Sequence, residues 1–294
     1  MTLVTTISVT TSPLLGTTNK NTMIKAISFN VNSIRQRIPQ LEALIEKHDP
    51  DFIGLQETKV TDVDFPVETI ENMGYHVHFH GQKTHYGVAL LSKHPFISVQ
   101  KGYDTDDEES QKRFISGRFV SPLGGEITVV NGYFPQGESQ EHPTKFPNKQ
   151  KYYEDLDSYL CRNHTPEDQL IVMGDMNVSP EDQDIGIGED NRKRWLKTGK
   201  CSFLPIEREW LAKLYNWGLT DTYRLLHPSG SDYFSWFDYR SRGFEREPKR
   251  GLRIDLILAT KSLANTVKES GIDYEIRGME KPSDHCPIWT YFGD

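Results

Sequence analysis

From Met23 onward this sequence alternates short apolar runs with amphipathic helical stretches, and several of the apolar runs stop at an amide or a carboxylate. The alternation constrains the fold most, because it switches between a period of two and a period near 3.6 along one chain. Residues 23–30 (MIKAISFN), 51–55 and 169–173 read as buried strands. Further strand-like runs fall at 75–79, 87–91, 95–100, 113–120, 126–133, 254–259 and 287–292, many joined by Gly and Pro turns. Helices are predicted over 39–47, with apolar Leu41, Leu44 and Ile45, over 67–73, closed by Gly74, and over 149–162, 205–217 and 220–226. No repeat or low-complexity linker interrupts the pattern, so residues 23–294 read as one domain with two β-layers flanked by helices.

Residues 1–22 are different. Eight of the 22 are threonine, and the segment lacks the basic start and apolar core of a secretory signal. The expectation is a floppy tail, or a start at Met23. In the whole chain of 294 residues, 36% are hydrophobic and 26% charged, which excludes collagen-like, disordered and membrane-embedded classes. Cys161, Cys201 and Cys286 are far apart and form no CxxC pair, so neither a disulfide framework nor a structural zinc site is expected. A reducing cytoplasm fits that usage. The formal net charge of −8 argues at first against an anionic partner. Charge on the binding face matters more than the sum, and here it is local. Asp104, Asp106, Asp107, Glu108 and Glu109 form one acidic run, whereas 191–200 and 240–253 are basic.

The chemistry lies in the polar residues at run boundaries. Asn30 ends the first strand, and Glu57 follows the second in GLQETK. Asn131-Gly132-Tyr133 ends another. Asp175 and Asn177 stand in MGDMN, Asp255 opens RIDLILA, and Ser283-Asp284-His285 precedes the last strand. Singly, each is an ordinary turn former or cap. Jointly, carboxylates arriving at strand ends from distant positions suggest a site for a hard cation such as Mg²⁺, which takes oxygen ligands.

The segments SFNVNSIR, IGLQETK, THYGVALLSK, VNGYFPQG, GDMN, FSWFDYR, RGLRIDLILA and SDHCP carry a further signal. Together they resemble the exonuclease III family, the DNA-repair branch of the metal-dependent endonuclease/exonuclease/phosphatase superfamily that also holds DNase I. The likeness runs from about Met23 to near the C-terminus. It implies a four-layer α/β sandwich, two mixed β-sheets flanked by helices, with the site at one edge of both sheets. It implies that Glu57 binds Mg²⁺, with Mn²⁺ able to substitute, assisted by Asn30, within a wider group of Asp175, Asn177, Asp284 and His285. By the same likeness Asp175 deprotonates or orients the attacking water, and Asn177 bonds the phosphate. His285 contacts the scissile phosphate, oriented by Asp255, and Tyr133 stands near the phosphate or leaving oxygen. Arg113, Arg192, Lys193, Trp236 and Phe237 are the expected DNA contacts, with Arg113 reaching into the duplex and the two aromatics forming a pocket for a base-less sugar, core packing being the alternative for the two rings. The implied activity is Mg²⁺-dependent cleavage of duplex DNA at abasic sites, nicks and blocked 3′ ends by a monomer. A non-specific DNase I-like nuclease and a catalytically silent DNA-binding module are the alternatives.

Overall fold

The computed structural model describes residues 22–230 and 233–293. The expectation for residues 1–22 therefore lies outside the described residues, Thr22 excepted. In chain order the strands are β1 (Met23–Asn30), β2 (Phe52–Gln56), β3 (His76–His80), β4 (Val88–Ser92), β5 (Ser98–Lys101) and β6 (Phe114–Val120). They continue as β7 (Glu126–Tyr133), β8 (Gln169–Asp175), β9 (Leu219–Asp221), β10 (Asp255–Thr260), β11 (Val267–Ile272) and β12 (Ile288–Gly293). One six-stranded sheet runs β11-β12-β1-β2-β4-β3 and the other β5-β6-β7-β8-β10-β9. Both are mixed, since β1 pairs parallel with β2 and β7 parallel with β8 while their other pairings are antiparallel.

Side-chain parity builds the layers. Along β1, Ile24 and Ala26 face the second sheet and meet Ile127, Val129, Ile171 and Ile257. Ile27 and Phe29 face the other way, onto helix α1 (Ile38–His48) and helix α2 (Val67–Asn72) through Leu41, Leu44 and Ile70. The outer face of the second sheet packs on helix α3 (Lys145–Asn163) through Tyr152, Tyr153 and Leu156. The basic run forms the exposed helix α4 (Glu189–Lys197), and helix α5 (Pro205–Trp217) joins α3 through Trp210, Leu211 and Leu214. The result is the expected four-layer sandwich. Among the described residues no helix is long and apolar enough to cross a membrane.

Two glycines set how closely the sheets approach below the site. A Cβ on Gly54 would lie 2.7 Å from Asn131 Oδ1. Its absence lets the Asn131 amide cross between sheets, donating to Leu55 O and Ala89 O at 3.0 and 2.8 Å and accepting from Gln56 Nε2 at 2.6 Å. Gly174, at φ 151°, sits where a Cβ would meet Gly132 O at 1.9 Å, so the residue before Asp175 has no alternative.

Some elements differ from expectation. Residues 220 and 221 of the expected helix belong to strand β9, and the helix α6 (Thr222–Leu226) begins only where the Asp221 side chain accepts from Tyr223 N and Arg224 N. Asp221 is an N-cap, which stops the helix from extending backward. Strand β11 was not expected at all, because an edge strand reading VKESGI exposes most of its polar residues and shows no apolar alternation.

Candidate active site

Both sheets end at one edge, and strand register brings the polar ends together. Asn30 pairs with Gln56, one residue before Glu57, while Asp175 is flanked in register by Tyr133 on β7 and Asp255 on β10. The Asn30 amide spans the gap, donating to Glu57 Oε1 at 2.9 Å and to Asp175 Oδ2 at 3.0 Å. One side chain thus uses both its donors to tie the two sheets at the site. The turns here are strained: Asn32, Ser33, Glu57, Lys59 and Asn177 all have positive φ without being glycine. Such strain collects where geometry is over-determined by its surroundings.

His285 completes the group. Its Nδ1 lies 2.9 Å from Asp255 Oδ2, and its Nε2 lies 3.7 Å from Asp175 Oδ2. Ser283 holds the loop down, donating from Oγ to Asn30 O at 2.6 Å and accepting from His285 N at 3.2 Å. Burial alone would favour the neutral imidazole, yet the carboxylates of Asp255 and Asp175 push the ring up to about 10. At neutral pH it is therefore an imidazolium, a two-donor cation. Burial, reinforced by Asp255 and Glu57, pushes Asp175 up to about 8 against the pull of His285. Burial also raises the Tyr133 phenol well above its ordinary value, with Glu57 adding to it, so this hydroxyl stays protonated.

Ligand atoms of Glu57, Asp175 and His285 all lie within 4.8 Å of one another. Carboxyl groups of Glu57, Asp175 and Asp255 converge here on His285, with Lys59 beside Glu57, and among the described residues Asp255 Oδ1 is buried without a partner. Converging oxygen donors of this kind suit a metal ion. Asp284 stands outside the group: its oxygens accept from Asn32 Nδ2 at 2.9 Å and Trp236 Nε1 at 3.1 Å. Burial opposes its ionisation, but His285 and these donors hold its carboxyl below the usual range. Asn177 is fixed by donation to Phe134 O at 2.9 Å and by its own N–H to Asp175 Oδ1 at 3.1 Å.

A cleft of about 610 Å³ opens over these groups, lined also by Gln136, Lys200, Trp236 and Arg240. Trp236 lines this cleft. Phe237 does not: it is 0% exposed, packed edge-on against Phe234, Phe244 and Tyr274, and is core. The two residues alternate in direction because Trp236 lies in extended bridges to Leu252 and His285. Arg113 is likewise corrected. It does not project from the surface; its guanidinium lies between the rings of Tyr86 and Tyr133, at 4.2 and 4.4 Å, and donates to Tyr133 O at 3.0 Å. Arg192 is paired with Asp182 and Glu189, and Lys193 with Glu189. From the same basic run, Trp195 and Lys200 are the ones that line the cleft. Lys59 went unassigned in the sequence, yet its Nζ lies 3.1 Å from Glu57 Oε2 and donates to Asn32 Oδ1 at 2.5 Å. Its only signal was a cation two residues after the carboxylate.

Known proteins resemble this chain in sequence and in fold. Residues 27–285 match the profile of the Endonuclease/Exonuclease/phosphatase family. The chain is 57% identical over 269 residues to exodeoxyribonuclease III of Haemophilus influenzae, covering 92% of this chain and 100% of that protein. Among solved structures it superposes on a 3′ phosphatase from Neisseria bound to a product DNA hairpin, with TM-score 0.82, 33% identity and coverage of 92% and 100%. It superposes equally, at TM-score 0.82 and 33% identity, on an AP endonuclease from Archaeoglobus fulgidus, covering 92% and 99%. With this match along nearly its whole described length, the chain belongs to the endonuclease/exonuclease/phosphatase family, in its exodeoxyribonuclease III branch.

Proposed function

We propose that this chain is a Mg²⁺-dependent nuclease of duplex DNA that incises at abasic sites, removes nucleotides from 3′ ends and clears 3′-phosphates. The single observation that carries the reading is the continuous contact from Glu57 through Asn30, Asp175 and His285 to Asp255 at the floor of one cleft. Glu57 and Asp175, with Asn30 beside them, would hold the metal, which supplies charge stabilisation for a phosphate turning into a more anionic transition state. The chain's own residues do the rest. Burial makes Asp175 more basic than an ordinary carboxylate, and a bound cation would favour its ionised form, the form that can accept a proton from an attacking water. His285 donates from Nε2 toward the phosphate while Asp255 fixes the ring through Nδ1. Tyr133 offers a protonated hydroxyl beside Glu57, and Asn177 is held rigid to present its amide to the same phosphate. Trp236 gives the cleft an aromatic wall for a sugar without a base.

A silent binding module is disfavoured, since the acid, the base candidate and the cation-holding group all stand within contact of each other. We further propose that the protein acts as a monomer in the cytoplasm, a setting that suits its three free cysteines. The test is cleavage of matched duplexes, with and without one abasic site, in Mg²⁺ and in excess EDTA. Incision concentrated at the abasic site and abolished by EDTA is expected. Metal-independent cutting, or equal internal cutting of the intact duplex, would overturn the reading in favour of a different chemistry or a non-specific nuclease.

A further inference from the structure

Lys149 is a charged residue on the buried face of α3, in line with Phe146, Tyr153 and Leu156, and it is 0% exposed. Its Nζ pairs with Glu207 Oε1, donates to Asn177 O at 2.8 Å and reaches Gln136 O at 3.3 Å. An ammonium has three protons, and all three are directed. The other oxygen of Glu207 accepts from Ser202 N and Leu204 N, both at 2.8 Å. Above this pair three loops are zipped together. Gln140 N donates to Gly199 O at 2.7 Å, Cys201 N to Glu138 O at 3.1 Å, and Ser179 N to Ser202 O at 2.7 Å. These loops carry Gln136, Glu138, Asn177, Lys200 and Ser202, which form part of the cleft lining.

We propose that Lys149, with Glu207, is a positioning residue that sets this three-loop wall, and through the Asn177 carbonyl the amide that faces the phosphate. Lys149 does not line the cleft; Asn30 and Glu57 stand on the other sheet, and Asp175 is linked to it through Asn177. A buried ion pair is a poor device for stability alone, since apolar residues of similar volume often hold a fold as well. What apolar residues cannot replace is donation to two loop carbonyls and acceptance from two loop N–H groups. The position of Asn177 relative to Asp175 then depends on one ammonium, and small misplacements of such groups are costly in rate.

The inference rests on the nuclease reading and is tested with two double variants of the full chain. Lys149→Met/Glu207→Gln approximates the aliphatic stem and keeps an acceptor for Ser202 N and Leu204 N but removes the ammonium that donates to the loop carbonyls. Lys149→Gln/Glu207→Gln restores one amide donor. Melting temperature, Mn²⁺ affinity, kcat and KM on an abasic duplex are measured for both. The Met variant is expected to stay folded with Mn²⁺ affinity and KM each within a few-fold, while kcat falls by roughly 10- to 100-fold. The Gln variant should recover part of that loss, and it carries the comparison if the Met variant fails to fold. A folded variant of either kind with the natural kcat would overturn the proposal, as would Mn²⁺ affinity and rate declining in step with melting temperature. A natural chain that leaves the abasic duplex intact would instead overturn the nuclease reading itself.

Discussion

Asp255 lies 2.9 Å from His285 Nδ1, and in the proposed mechanism it acts through that ring rather than on the substrate. Its carboxylate, with that of Asp175, holds the ring up to about 10 although burial works the other way. The contribution of this raised group to folding is fully present below the ordinary value of 6.5 and is lost as pH rises through about 10. Activity that needs imidazolium should follow the same limb. Asp255→Asn removes the nearer charge, so the alkaline limb of the pH–rate profile should move toward neutrality; an unmoved limb would show that His285 works as the neutral ring. Glu57→Gln should raise the metal concentration needed for half-maximal rate by at least about tenfold, read by Mg²⁺ titration, with melting temperature little changed. These residues were legible in the sequence because each interrupts an apolar run at its end. Lys59 and Lys149 were not, since what they do is set by partners brought close only by the fold.

Adjacent residues in one extended segment can have opposite fates, and Trp236-Phe237 shows it. Trp236 faces the cleft and donates to Asp284, while Phe237 fills a pocket floored by Gly251 and ringed by Phe234, Phe244 and Tyr274. Phe237→Ala should cost about 3–5 kcal/mol of stability, measured by denaturant unfolding, through the cavity it leaves. Trp236→Phe loses only the N–H donor and some contact area, so it should unfold within about 1.5 kcal/mol of the natural chain while incising abasic duplex more slowly. Equal destabilisation by the two changes would mean Trp236 is core as well. The aromatic pair read alike in the sequence because the segment lies outside the regular strands, where no period assigns a face. Regular elements were easier: β1, β7, β8 and α5 declared themselves by period, whereas β9 was hidden behind its helix and β11 by its polar edge.

At the scale of the whole molecule, the net charge of −8 coexists with a basic approach to the site because the charges are sorted in space. Asp106, Asp107 and Glu109 line a separate cavity of 320 Å³ with Asp155. The two basic runs, far apart in sequence, converge: Arg194, Arg246 and Arg250 surround a 180 Å³ cavity that shares Trp195, Lys200 and Trp236 with the catalytic cleft. Each run alone read as a solvated face, and only the fold joins them. If Arg246 and Arg250 each neutralise a phosphate, replacing both with Ala should reduce the slope of log affinity against log salt by about 2, at about 0.9 per contact. An unchanged slope would place the duplex elsewhere. The most direct test of the central claim is single-turnover cleavage of an abasic duplex by Asp175→Asn in saturating Mg²⁺, with duplex binding measured in parallel. The expected result is duplex affinity within a few-fold of natural and a rate reduced by about 10²–10⁴. A bound substrate still cut at close to the natural rate would contradict Asp175 as the group that serves the attacking water.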